Sequence, residues 1–360
     1  MPHRHPGTVP GRRLGRSDAR ETGSGHPWTV NLSVVVPTHQ RRALLPTILE
    51  PLLADGKVGE VIVVVDGGDD GSIEWLRERA GSAPTLVPVL RQSPGGAQVA
   101  RADGFDRSVG DVVLFLDDDV LASPGLAAAH LAHHTGREGV VVVGYMPVRL
   151  PSTRHAGDFP TSLYATEYEC QCGRYDRDPS GILRDLWWGN VSMRREDVAR
   201  VGMTDPTLGA IYHEDKDFGI RCLKAGMRGE FDRSLAAIHL HERDLDGFIR
   251  DSRSQGIGRL LLQERHPEIT GDPDVTQFES GLRQPAALLV RAAGHPRVGE
   301  VLLRALRSLV ALLGRLRCLR LELLTARLLR RVAQRRGAET VLRGAAQDDA
   351  PTDRLSRSAA

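Results

Sequence analysis

What the 360-residue sequence lacks narrows it first. Cysteine is scarce: Cys170, Cys172, Cys222 and Cys318 are the only four, and their spacing makes neither a disulfide framework nor paired CxxC zinc sites. They are expected to be ordinary buried or free thiols, because an unreacted cysteine often packs as a small hydrophobe. An excess of one charge is missing too. Lys plus Arg number 48 against 46 Asp plus Glu, a formal net charge of +2, which gives no global electrostatic case for nucleic acid as a partner. Long hydrophobic runs are also absent. Residues 1–30 are rich in Arg, Gly, Pro and His and hold no apolar stretch of signal-peptide length, so they read as a disordered leader on a cytoplasmic protein.

What is present is length and order. The chain is long enough to bury a sizeable core, and one large α/β domain with an appendage fits it. Leu32 to Val36 and Val58 to Val65 are β-branched runs closed by Pro37 and by Asp66-Gly67, and both read as buried parallel strands. Between them the spacing predicts a helix starting near Pro46 and breaking early at Pro51. Helices are expected over 73–80 and 98–108, and strands over 85–90 and 112–116. This alternation implies right-handed crossovers and a parallel sheet. Such a sheet binds ligands beyond the carboxyl ends of its strands, where Thr38, His39, Asp66 and Asp117 to Asp119 stand.

Asp117, Asp118 and Asp119 follow directly on an all-apolar strand. Adjacent acids there repel one another and shift upward in pKa unless a cation or hydrogen-bond donors compensate. A divalent ion is the simplest compensation, and carboxylate oxygens suit Mg²⁺ or Mn²⁺; a solvated acidic turn is the alternative. Further on, 145–185 has clustered aromatics without sustained periodicity, either a lid or acceptor loop or an irregular surface. The adjacent Trp187 and Trp188 before Gly189 are either a platform for a sugar ring or core. Glu214, Asp215 and Asp217 lead into an expected helix over 219–225 that Gly226 stops. Acids there either complement the helix dipole or provide a base for an acceptor hydroxyl. His239 and His241 alternate along one side of an expected strand over 236–241, as structural residues or as metal ligands.

These residues, in this order, resemble the family 2 glycosyltransferases over residues 31–265. The motifs are Val34 to Arg41, Val63 to Ser72, Gly95 to Gly104, Leu114 to Asp119, Trp188-Gly189-Asn190 and Glu214 to Phe218 with Arg221. The resemblance implies a GT-A fold, a mostly parallel Rossmann-like sheet flanked by helices, and an inverting transfer from a nucleotide-sugar, a UDP-sugar by preference, to an acceptor hydroxyl on a saccharide, lipid or small molecule. It implies nucleotide contacts at Pro37, Thr38, Asp66 and Arg101. Asp117 to Asp119 look like a DxD motif, with Asp117 and Asp118 near the donor and Asp119, Asp117 and His241, or else His239, toward a Mn²⁺ or Mg²⁺ ion. Trp188 and Gly189 resemble an acceptor-side Gly-Gly-Asn segment with Trp in first place. Asp215 is implied as the base, with Glu214 its neighbouring rival. The family usually has a second acid after Asp66 and often Asn at position 103; here they are Gly67 and Asp103.

Two other readings compete. A sugar-phosphate nucleotidylyltransferase needs a Gly-rich phosphate loop that 37–46 lacks, and a nucleotide-sugar-binding or membrane scaffold without catalysis sits poorly with the retention of both Asp119 and Asp215. Residues 266–336 read as a helical, Arg/Leu-rich appendage. Its longest uncharged run from Val298 onward, Ser308 to Gly314, is far short of the roughly 20 residues that span a bilayer. The stretch 298–336 therefore suits packing or homodimerisation, or contact with the inner face of the cell membrane. Residues 337–360 are expected to be a disordered polar tail.

Overall fold

The computed structural model describes residues 31–205 and 212–348; the expected leader and the last part of the expected tail lie outside them. The β-branched runs form strands β1 (Leu32–Thr38) and β2 (Val58–Asp66), joined through helix α1 (Leu45–Leu53). Pro46 occupies the first turn of α1 as expected, but Pro51 does not break it. Leu45, Ile48, Leu49 and Leu52 are buried on one face and hold the turn closed around the proline. Helix α2 (Ser72–Ala80) leads to β3 (Leu86–Arg91), and α3 (Ala97–Arg107) leads to β4 (Val112–Leu116), whose five residues are all fully buried. β1 pairs in parallel with β2 and β4, and β2 with β3. The parallel sheet expected from the alternation of strands and helices is present over this half.

After β4 the chain departs from a purely parallel pattern. β5 (Val120–Ala122), α4 (Leu126–His134), β6 (Val140–Tyr145), α5 (Phe159–Arg177), β7 (Asn190–Arg194), α6 (Arg195–Val201), α7 (Glu214–Lys224) and β8 (Arg228–His239) follow. β7 runs antiparallel between β4 and β6, and β8 leaves its parallel partner β6 to pair antiparallel with β5. Among the described residues the sheet has eight strands in the order β3-β2-β1-β4-β7-β6-β8-β5. The aromatic stretch is not the lid or irregular surface expected from the sequence. It holds the 19-residue helix α5, with Phe159, Leu163, Tyr168, Cys172 and Tyr175 buried along it. Of the four cysteines, Cys172 and Cys222 are buried and Cys170 and Cys318 exposed, all as free thiols.

The remaining helices are α8 (Leu245–Arg265), α9 (Pro267–Thr270), α10 (Gln284–Ala292), α11 (Pro296–Arg315) and α12 (Leu319–Asp348). One apolar cluster joins Phe159 and Leu163 of α5, Phe248 and Leu260 of α8, and Leu303, Leu329 and Val332 of α11 and α12. The helical layer thus begins with α8, ahead of the expected boundary at 265/266. The tail expected from residue 337 is corrected in its first part, because α12 runs on to Asp348. Gly337 lies against the carbonyl of Arg253 with no room for a Cβ, Ala338 is fully buried and Glu339 pairs with Arg335 at 2.7 Å. These are tertiary contacts, and the polar composition alone does not reveal them.

Candidate active site

The C-terminal ends of β1, β2 and β4 open into a cleft of about 530 Å³ lined by Pro37, Thr38, Asp66, Arg101 and Asp117 to Asp119. Seven residues singled out in the sequence from four separate segments therefore meet in one place. A second cavity of about 240 Å³ adjoins it through Asp117, Asp119 and Arg243, and its walls include Tyr164, Tyr212, His239 and His241. Asp117 and Asp119 form the wall between the two, and Asp118 faces the larger cavity alone.

Asp66 is buried at the end of β2 and its carboxylate is already engaged. It accepts from the backbone N–H of Gly95 at 2.9 Å and of Gly96 at 2.7 Å, and from Arg91 Nε at 2.8 Å. Its backbone carbonyl accepts from His39 Nδ1 at 2.8 Å. Asp66 therefore shapes the β3–α3 turn that forms one rim of the cleft, because a buried carboxylate gains most from such charge-assisted bonds.

The three aspartates differ in environment. Asp117 Oδ1 accepts from Arg101 Nη2 at 2.6 Å. Burial, with repulsion from Asp119, pushes Asp118 up to about 6. Burial opposes the charge of Asp119 as well, yet His239, with Nε2 3.2 Å from Oδ1, and Arg41 at 3.7 Å hold its carboxyl below the usual range. Part of the compensation expected from a cation is thus supplied by Arg101, Arg41 and His239. Among the described residues no three of His, Cys, Asp and Glu converge into a ready-made metal cluster. The remaining donors still suit an ion completed by substrate oxygens, as one or two carboxylates suffice for Mg²⁺ or Mn²⁺. Nδ1 of His239 and of His241 are buried without partners among the described residues, and burial pushes the His241 imidazole down to about 4, so it is neutral.

Arg101 ties the cleft to α7. The residue is 4 % exposed, and its guanidinium is bonded to Asp117 and lies 3.4 Å from Glu214 Oε1. Burial works against its charge, but Asp117 and Glu214 raise its pKa above the ordinary arginine value. The next residue, Asp215, is pushed up to about 7 by burial and by repulsion from Glu214. Its Oδ1 accepts from the backbone N–H of Lys216 at 2.8 Å. His213 enters this helix at a positive φ of 77°, a conformation uncommon outside glycine.

Trp188 is core, not a platform. It is 7 % exposed, packs edge-on against Phe115 at 5.2 Å and carries Arg101 over its ring at 5.3 Å. It steadies the guanidinium from below the cleft floor. Gly189 takes a φ of +110°, and a Cβ there would come within 2.8 Å of Met146 Sδ and 3.0 Å of Asp117 Oδ2, so only glycine lets this turn approach Asp117. Asn190 is buried and donates to the Leu235 carbonyl at 2.9 Å while its Oδ1 meets His130 Nε2 at 2.9 Å. It is Trp187 that lies near the second cavity, tilted on Tyr164 at 5.7 Å. β8 ends at His239, two residues short of the expected strand end, and the His239 and His241 rings meet at 5.5 Å. Tyr164, stacked on His241 at 4.3 Å, and Arg330 of α12 were not singled out as site residues by the sequence. Tyr164 carried a signal in the aromatic cluster; Arg330 carried none, lying among ten arginines between 298 and 336.

Residues 33–202 match the family model for glycosyl transferase family 2. An uncharacterized glycosyltransferase, YfnE of Bacillus subtilis strain 168, is 24 % identical over 251 residues, covering 58 % of this chain and 64 % of the relative. An undecaprenyl-phosphate 4-deoxy-4-formamido-L-arabinose transferase of Pectobacterium atrosepticum is 38 % identical over 99 residues, 26 % of this chain and 30 % of its own. The chain spans less than two thirds of the length of these relatives. Among solved structures, a mannosyltransferase of Pyrobaculum calidifontis in complex with GDP-Man and Mn²⁺ shares the fold at a TM-score of 0.54 and 18 % identity, over 85 % of this chain and 86 % of that one. With the family model matched from β1 to the end of α6 and the GT-A arrangement of sheet and helices around the cleft, residues 33–202 form a glycosyl transferase family 2 domain.

Proposed function

We propose that the protein transfers a glycosyl group from a nucleotide-sugar to an acceptor hydroxyl with inversion at the anomeric carbon. The observation that carries this reading is the meeting of two cavities at Asp117 and Asp119, with Arg101 linking that wall to the helix that begins Glu214-Asp215. The larger cavity takes the nucleotide and diphosphate, and the smaller takes the acceptor. The acceptor oxygen bonds to the anomeric carbon as the bond from that carbon to the diphosphate breaks. Asp215 takes the hydroxyl proton, and the electron pair leaves with the diphosphate beside Arg101.

A divalent ion, Mn²⁺ or Mg²⁺, is part of the proposal: Asp119 and Asp117 with His239 or His241 would hold it, and when bound it would stabilise negative charge on the diphosphate. Addition of excess chelator is expected to abolish transfer, and Mn²⁺ or Mg²⁺ to restore it. Calorimetry gives a second readout, since chelator should also weaken nucleoside diphosphate binding; full activity and unchanged binding in chelator would remove the metal from the scheme.

For the donor we propose a uridine nucleotide, lodged at the Pro37, Thr38 and Asp66 end of the cleft. Asp66 supports this through the Gly95-Gly96 turn that it braces as well as through its own position. Isothermal titration with uridine and guanosine diphosphates should give the tighter binding to the former, and the reverse order overturns it.

A further inference from the structure

Helix α11 is packed on one face and bare on another. Gly299, Leu303, Val310 and Gly314 are buried, whereas Val298, Val301, Ala305, Leu309, Leu312 and Leu316 are exposed. The exposed six recur every three or four residues, so they form one stripe along the whole helix. The exposure is substantial: 60 % at Val301, 51 % at Leu312 and 63 % at Leu316. Leu321 and Leu324 extend the apolar surface past the turn into α12. A soluble surface rarely leaves so continuous an apolar strip uncovered unless something binds it.

The charge around the stripe selects the occupant. Arg297, Arg304 and Arg315 stand seven and eleven residues apart, and helical geometry puts them on a single flank of the stripe. All three are exposed, and among the described residues none is paired with a carboxylate and the one side-chain bond they make runs from Arg304 Nε to the Glu300 carbonyl of its own helix. Between Pro296 and Arg343 the acids are Glu300, Glu322 and Glu339. Each is turned onto an arginine: Glu300 on Arg253 at 2.7 Å, Glu322 on Arg154 at 2.8 Å and Glu339 on Arg335 at 2.7 Å. A second copy docked here would therefore bring unpaired arginines toward unpaired arginines with no carboxylate to receive them. A surface of anionic headgroups over acyl chains meets both features, since leucines enter the apolar boundary while arginine stems reach back to the phosphates. No helix among the described residues is long and apolar enough to cross a membrane, so α11 would lie in the interface plane.

We propose that the exposed face of α11 docks the protein on an anionic phospholipid bilayer. This does not depend on the reading of the cleft. The full-length protein is to be co-sedimented with phosphatidylcholine vesicles, with and without phosphatidylglycerol. Basic residues at such a surface each contribute appreciably, so the anionic vesicles should bind about tenfold or more tightly, and added salt should weaken the binding. Leu309→Glu with Leu312→Glu should abolish sedimentation with either vesicle. Arg304→Glu with Arg315→Glu should remove the preference for the anionic one. All four positions face solvent, and an unchanged melting curve checks that each variant is folded. Equal sedimentation with both vesicles, or none with either, overturns the proposal. So does a dimer in sedimentation equilibrium that Leu312→Glu disperses while vesicle binding is unaffected.

Discussion

Asp215→Asn is expected to lower turnover roughly a hundredfold to ten-thousandfold, the usual worth of a general base, while leaving the fold and nucleotide affinity close to those of the parent. The change is nearly isosteric and removes only the capacity to hold a proton. Were Asp215 merely a helix-terminus residue, asparagine would serve almost as well, and turnover would barely change. The acid range supplies a second criterion. Burial and the neighbouring Glu214 push the Asp215 carboxyl up to about 7, so below that pH it is protonated and cannot accept. The parent enzyme's turnover should rise as pH increases through about 7 and then level, and this limb should vanish in Asp215→Asn. Glu214→Gln is the companion measurement, because Glu214 sits beside it and touches Arg101 at 3.4 Å. Its loss removes a negative neighbour and should move the limb downward without erasing it. Near-normal turnover in Asp215→Asn, or a limb that persists there, would assign the proton to another group.

The first half of the sheet and most of its cleft are legible in the sequence because buried parallel strands are continuous apolar runs, and polar residues that close them must emerge at one edge. Asp66 and Asp117 to Asp119 are found that way. The rest depends on contacts between distant segments. Helix α5 escapes a periodicity reading because polar residues intervene among Phe159, Leu163, Tyr168, Cys172 and Tyr175. Trp187 and Trp188 are indistinguishable as letters, yet one reaches Tyr164 beside the second cavity while the other packs between Phe115 and Phe218. The aspartate triplet announces a need for positive charge, but not that Arg101, Arg41 and His239 provide some of it. Asp66 likewise announces a strand end, while its use in bracing the Gly95-Gly96 turn rests on partners about thirty residues away.

Arg101→Met is expected to cost about a hundredfold to a thousandfold in turnover, on the scale of losing one preorganised electrostatic contact, and to shift the pH dependence as well. In the parent protein Arg101 lowers the pKa of Asp215 against the larger upward push of burial and Glu214. Removing that positive charge lets the carboxyl hold its proton to higher pH, so the activity limb should move upward. Stability should fall too, since Asp117 and Glu214 would be left without their shared partner; turnover is therefore compared well below each variant's melting temperature. Arg101→Lys separates charge from shape. It keeps the positive charge, which holds the limb near its parental position, but loses the fork that reaches Asp117 and Glu214 together, so turnover should still drop. A limb that stays in place in Arg101→Met would mean that the guanidinium acts on the diphosphate side alone, and that the coupling from the end of β4 through Arg101 to Asp215 has no catalytic consequence.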